Sequence, residues 1–440
     1  MNTPKIKILA AASFLFAALS AHAADAPTPP SEWIDPATGH VIVRLSQEPG
    51  TASMYFHQNG YTPDGKKLLI FTPKGMATVD LQTHKIDLLV PGYRALSMSL
   101  SNGIEVSRKE PVVYYNENLN GKNVAIALNM ETHEWKQAAV LPTGAVLGGI
   151  SADDKTIMGI RNVSGGKQIY TVDLKTGETK SFFPSDDGLS HDNLNHFECS
   201  PTDPDLMLFA HEGDWTQVDR IWTMHPDGTG LKLMYVRTMP NEIAGHEFFS
   251  RDGQWVYYDL QTPESVQFWI GGTNVKTGEH IRYPVTRTEW SVHFNVSWDG
   301  KVFSGDGGGP NSVANRLPGQ TGTLNPPQNG QWMYLFTPTG EYTTMKVNGE
   351  DVKVGKLTTE KLADLSKHNY GNGEPSRVEP NATFTPDDKW LVFRSNMEGA
   401  LNVYEVEIAK ATPEETKRIT DEWAAYNAVA PKPADSKPAN

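Results

Sequence analysis

Residues 242–261, EIAGHEFFSRDGQWVYYDLQ, decide the fold. The apolar pair Phe248-Phe249 leads to Ser250, then Asp252-Gly253 and the run Trp255–Tyr258, which reads as strand, tight turn, strand. The unit recurs on both sides of this stretch. Clear copies are YTPDGKKLLIF from Tyr61, ISADDKTIMGI from Ile150, NVSWDGKVFSG from Asn295 and FTPDDKWLVFRSN from Phe384. CSPTDPDLMLFAHE from Cys199 is a lengthened copy and LSNG at Leu100 a worn one. Second halves such as IYTVDLKTGETK from Ile169 and WIGGTNVKTGEH from Trp269 add a further strand and turn. Repeats of roughly 40–60 residues, each built from four short strands, predict an all-β, seven-bladed β-propeller rather than a solenoid. It is expected to span residues 24–410, with the strand near Val41–Leu45 or the chain end closing the ring and removing exposed edges.

The flanks read differently. Lys5 and Lys7 precede an apolar run from Ile8 to Leu19, and Ala21-His22-Ala23 is a small-x-small cleavage pattern, so residues 1–23 read as a secretory signal peptide. The expected location is the periplasm or the medium of a bacterium. No later segment approaches the roughly 20 apolar residues that cross a bilayer. Residues 411–440, rich in Ala, Pro, Lys and Asp, are expected to form a short helix and then a disordered tail. The insertion from Pro310 to Gln331 is too long for a blade turn and is expected to overhang a site.

Removing Lys5 and Lys7 takes the formal charge from −13 to −15, which disfavours nucleic acid and anionic membranes as partners. An anionic substrate then needs local compensation by arginine or a cation. Cys199 is the single cysteine, so no intramolecular disulfide forms, and its apolar setting reads as a small buried hydrophobe.

The repeat turns spacing into geometry. His246 lies four residues before Ser250, and the same offset falls on His196 before Ser200, His293 before Ser297 and Asn381 before Thr385. These four, with Gln58 from the first unit, are expected to face one another at one mouth of the central channel, while Leu147 breaks the series. The connections HEGDW (His211–Trp215), GDGGGP (Gly305–Pro310) and RSNMEG (Arg394–Gly399) are expected to wall the mouth, the glycines permitting close backbone approach. Asn195, His196, His211, Trp215 and Arg394 are the expected substrate contacts. Arg220 reads either as functional or as a strand arginine paired with Asp219 or Glu212; Trp215 reads either as a sugar platform or as a loop anchor. His293 with Glu379 and Asn381 offers a mixed nitrogen and oxygen set suited to manganese, magnesium or calcium rather than a closed zinc site.

HEGDW, VDRIW, EIAGHEFFSRDG, VHFNVSWDG, GDGG and EPNATFTPDDKWLVFRSN together resemble the oligogalacturonate lyases, seven-bladed polysaccharide lyases of family 22. The resemblance covers residues 191–408 well and the first blades more loosely. It implies β-elimination on short uronate oligomers, with a divalent metal, typically manganese, engaging the substrate carboxylate. It further implies that His246 is the base, Arg220 the arginine beside it and His293 a metal ligand. A neutral imidazole, with an ordinary pKa near 6.5, suits a base near neutral pH. Where the familiar enzymes carry a glutamine and a His-x-His pair as ligands, this chain has Ser376, Glu379 and Asn381. The familiar members also work in the cytoplasm, so a different uronate-containing oligosaccharide is the alternative substrate. Two other readings stay open: a glycosidase using Glu379 with Glu212 or Asp306, and a non-enzymatic exported propeller that binds protein.

Overall fold

A computed structural model describes residues 28–94, 103–184, 193–317, 324, 326–371 and 378–430. The signal-peptide reading, Ser376 and the last ten residues therefore lie outside the described part.

The repeated motif builds the same turn in unit after unit. Ser250 Oγ donates to Asp252 Oδ1 at 2.5 Å, and the hydroxyl in turn accepts from the Trp255 backbone N–H at 3.0 Å. The corresponding hydroxyl-to-carboxylate bonds join Thr62 to Asp64 (2.7 Å), Ser151 to Asp153 (2.7 Å), Ser297 to Asp299 (2.8 Å) and Thr385 to Asp387 (2.7 Å). The residue after the aspartate is left-handed in all five: Gly65, Asp154, Gly253, Gly300 and Asp388. Glycine takes that conformation freely and aspartate tolerates it, so Asp-Gly and Asp-Asp are interchangeable here.

Each turn joins two strands of an antiparallel sheet. Four sheets of four strands, in chain order, cover residues 52–91, 104–140, 145–182 and 194–233. An eight-stranded sheet follows over residues 243–364, its halves joined by a short parallel pairing of Ile281 and Arg282 with Lys353 and Val354. The last sheet mixes both chain ends: His40–Arg44 pairs antiparallel with Asn402–Lys410, as expected for ring closure. Leading strands of successive sheets touch, as Ala145–Ile150 does with both Ile104–Val106 and Leu194–Cys199. The fold is an all-β propeller.

The core is divided among the sheet interfaces. Phe71 and Met76 of the first sheet pack on Val113 and Ile126 of the second, and Met158 and Ile169 of the third on Phe209 and Trp222 of the fourth. Cys199 lies buried in the latter cluster. The helix α1, Pro413–Val429, starts in a capping box of Thr412 with Glu415 and buries Ile419 against the closing sheet. Arg418 holds Glu32 through both guanidinium nitrogens at 2.7 Å.

Candidate active site at the channel mouth

The side chains at the repeated offset are aimed by the backbone. The leading strands at His196 and His246 carry bulges: pairing slips between Asn195 and Glu198, and again between Gly245 and Phe248. His196 (φ 47°), His246 (φ 50°) and Asn381 (φ 52°) share the left-handed conformation, uncommon outside glycine. A bulge turns a side chain out of the ladder, here towards the channel mouth. Gly245 is needed beside His246, because a Cβ there would meet the Trp215 ring at 2.7 Å.

Four imidazoles gather near one phenol. Tyr55 lies with its ring centroid 5.0 Å from His57, 5.6 Å from His196 and 5.1 Å from His293, while His246 is 5.1 Å from His293. Burial, then the charge of Glu379, drives the Tyr55 phenol well above its ordinary pKa, so it stays protonated. The His293 Nδ1–H is directed at Asp306 Oδ2 (2.7 Å), which also accepts from the backbone N–H of Asn381 (3.1 Å). That fixes the tautomer and leaves Nε2 as an acceptor, 3.1 Å from the Tyr55 hydroxyl and 3.7 Å from Glu379 Oε2.

Tyr55 and His57 are absent from the expected site, and Asp306 is expected there only in the glycosidase reading. The offset in the first unit points to Gln58, whose amide instead donates to the Ile104 carbonyl at 3.1 Å. His57, one residue earlier, takes the channel position, with Nδ1 3.0 Å from Glu198 Oε1. Asp306 stands inside GDGGGP, expected to wall the mouth through its glycines, and its carboxylate enters the sequence expectations only for a glycosidase, not as the partner of His293. The imidazole of His57 was the available signal; nothing in the MYF run (Met54–Phe56) separates Tyr55 from core aromatics.

Arg220, just before the strand Ile221–Met224, is ion-paired with Glu212, one of the two expected partners. Its guanidinium is buried, 2.5 Å from Glu212 Oε2 and 3.5 Å from Glu247 Oε2, and lies 3.9 Å over the Trp215 ring. Burial opposes its charge, but Glu247 and Glu212 outweigh burial and hold its pKa above the ordinary value. Burial also raises the Glu247 carboxyl and pushes the His196 imidazole well below its usual range, with Arg220 adding to the latter. Trp215 is both anchor and wall: its indole N–H donates to Glu212 Oε2 at 3.0 Å and its ring stands 5.1 Å from His246.

A cavity of about 530 Å³ opens beside His246, lined by Trp215, Asp259, Gln261, Trp290 and the loop Gly308–Val313. The first part of the insertion, Pro310–Val313 with Arg316, lines it, and beside them Gly309 takes φ +74°, where a Cβ would meet the Tyr370 ring at 2.7 Å. Arg394 and Asn381 have jobs other than those expected. Arg394 is 2 % exposed and donates Nε–H to the Glu379 carbonyl at 2.8 Å, so it braces the wall from behind. The Asn381 carboxamide accepts from the Phe56 N–H (3.2 Å) and donates to the Glu379 carbonyl (3.0 Å), fixing the segment that carries Tyr55 and His57. His211 is buried with its backbone N–H on the Arg220 carbonyl, and Asn195 is half-buried beside the bulge. Among the described residues no group of three or more His, Cys, Asp or Glu side chains is arranged to hold a metal ion.

The family profile of oligogalacturonate lyase matches residues 152–412, more than half of the chain and all the elements that carry His196, Arg220, His246, His293 and Glu379. The chain belongs to the oligogalacturonate lyase family. As a member it is a polysaccharide lyase. It is similar to the oligogalacturonate lyase of Dickeya dadantii (23% identical over 403 residues, 84% of this chain and 94% of that one). The oligogalacturonide lyase of Pectobacterium atrosepticum is 24% identical over the same shares. A solved structure, oligogalacturonate lyase in complex with manganese, shares the fold with a TM-score of 0.66 at 23% identity, covering 86% of this chain and 96% of that one.

Proposed function

We propose that this lyase cleaves short pectin-derived uronate oligomers by β-elimination, leaving a 4,5-unsaturated uronate, with His246 as the base. The observation that carries the reading is the placement of His246: a left-handed bulge residue on the wall of the cavity, its ring 5.1 Å from that of His293. It takes the proton from C5, the C4–O bond breaks, and no water is consumed. Trp215 packs between Arg220 and His246, so Arg220 acts as a fixed positive charge behind the base and holds Glu247 and Glu212 in place.

The relative's manganese suggests a divalent cation here too, with magnesium or calcium as substitutes. His293 through Nε2 and Glu379 through its carboxylate are the donors that fit one, since a ligating imidazole usually gives its other N–H to a carboxylate, as His293 does to Asp306. When bound, such an ion neutralises the substrate carboxylate and acidifies the neighbouring C5 proton. Asn381 and Arg394 are assigned to positioning, through the Glu379 backbone. The glycosidase reading is disfavoured because Asp306 already accepts three N–H bonds and Glu212 is ion-paired.

We also count the eight-stranded sheet as two blades, which gives seven, and read residues 1–23 as an export signal that places the enzyme in the periplasm or medium. The test is to incubate purified protein with oligogalacturonates and manganese and follow near-ultraviolet absorbance of the conjugated product. Absence of that absorbance on every uronate oligomer, with manganese, magnesium or calcium, overturns the assignment.

A further inference from the structure

The cavity beside His246 holds a buried carboxyl group to which the elimination chemistry gives no task. Asp259 is 1 % exposed yet lines the cavity, and no cation pairs with it among the described residues. Two neutral donors meet it: the Trp290 indole N–H at Oδ1 (2.7 Å) and the Gln261 amide at Oδ2 (3.0 Å). The Gln261 carbonyl accepts from the Ser265 backbone N–H at 3.1 Å, which fixes the amide with its NH₂ towards Asp259. A carboxylate has about four lone-pair sites, so about two stay open after these bonds. Burial pushes the carboxyl up to about 7, as expected for a charge lacking a counter-ion. Arg316, exposed at the rim of the same cavity, is in no ion pair among the described residues. The cavity thus has an acceptor in its wall and a cation at its rim.

A uronate unit has the matching polarity: hydroxyls along one edge and a carboxylate on another. We infer that the cavity seats the uronate unit next to the one deprotonated by His246, oriented by Asp259 accepting from its ring hydroxyls and Arg316 facing its carboxylate. The reverse orientation would bring two carboxylates together in a desolvated wall, which is strongly unfavourable. Trp215 supplies apolar surface to the sugar, and about 530 Å³ lies within the usual size of small-molecule sites. Asp259 and Arg316 are accordingly specificity residues for the oligomer rather than parts of the proton-transfer machinery. The inference rests on the lyase reading above.

Kinetics of Asp259→Asn and Arg316→Gln on tetragalacturonate test it, with folding checked by thermal unfolding. Loss of one such charged hydrogen-bonding contact is expected to raise KM by about tenfold while kcat changes by less than about threefold. With Arg316→Gln the salt dependence of KM should also flatten, since exposed charge contacts are screened. If Asp259→Asn fails to fold, Arg316→Gln decides alone. A wild-type protein that forms no unsaturated product overturns the lyase reading, and this inference with it. A wild-type protein that does, with KM for the folded variants within about twofold of its own, overturns the orientation only.

Discussion

The two ends of the leading strands use the same repeat in opposite ways. At the turn end, five units make one bond, from a Ser or Thr hydroxyl to an Asp carboxylate, followed by one left-handed residue. At the mouth, His196, His246 and Asn381 share a backbone conformation but stand in different surroundings: His196 faces Glu247 at 3.9 Å, His246 lines the cavity, and Asn381 holds the Phe56 N–H. A repeat can therefore fix where a side chain is delivered without fixing what it does there. The turn end is redundant scaffold, whereas each mouth position carries its own chemistry.

Breaking the mouth should cost activity, and breaking a turn should cost only a little stability. His246→Ala is expected to lower the rate of unsaturated-product formation by about 10²–10⁴-fold, the usual share of a general base, with an unchanged unfolding midpoint. Retained activity in that variant would remove the base from the site. Arg220→Ala leaves Glu247 and Glu212 without their cation in a buried setting. It should destabilise the fold by about 3–5 kcal/mol in urea unfolding, with elimination nearly as impaired as in His246→Ala.

Asp306→Asn keeps size but weakens the acceptor that fixes the His293 tautomer. A loss of about 10–100-fold in manganese affinity, measured by titration calorimetry, is expected if His293 holds the ion, and none if it does not. The smallest effect belongs to the turn end. Ser250→Ala removes one of five equivalent hydroxyl bonds and should cost about 1 kcal/mol in unfolding experiments while product formation per folded molecule stays the same. A large loss of activity in Ser250→Ala would erase the distinction between the two ends.

The legible features were those encoded locally. The hairpin motif can be read because hydroxyl, carboxylate and left-handed residue fall within a few positions of one another. His246 and His293 could be found because their distance from that motif is constant. His57 escaped because the first unit places it five residues before Thr62 instead of four, so the rule picks Gln58. Asn381 followed the offset correctly yet carries a carboxamide satisfied at both ends by backbone, which its spacing does not reveal. Arg394 looked like a wall residue because its loop is one, but its guanidinium turns inward to the Glu379 carbonyl.

The sequence by itself determined the repeat, the all-β ring and the gathering of His196, His246 and His293, because these depend on periodicity and short-range turn chemistry. Which chain end closes the ring stays open in the sequence, and both share the closing sheet. Only the tertiary structure decided the partners. Tyr55 among the imidazoles and Glu247 on Arg220 are contacts between different sheets, while Asp306 beneath His293 and Asp259 facing the cavity depend on how buried side chains turn within one sheet. Such contacts depend on how sheets pack and on which buried polar atoms lack water, and no spacing along the chain records either.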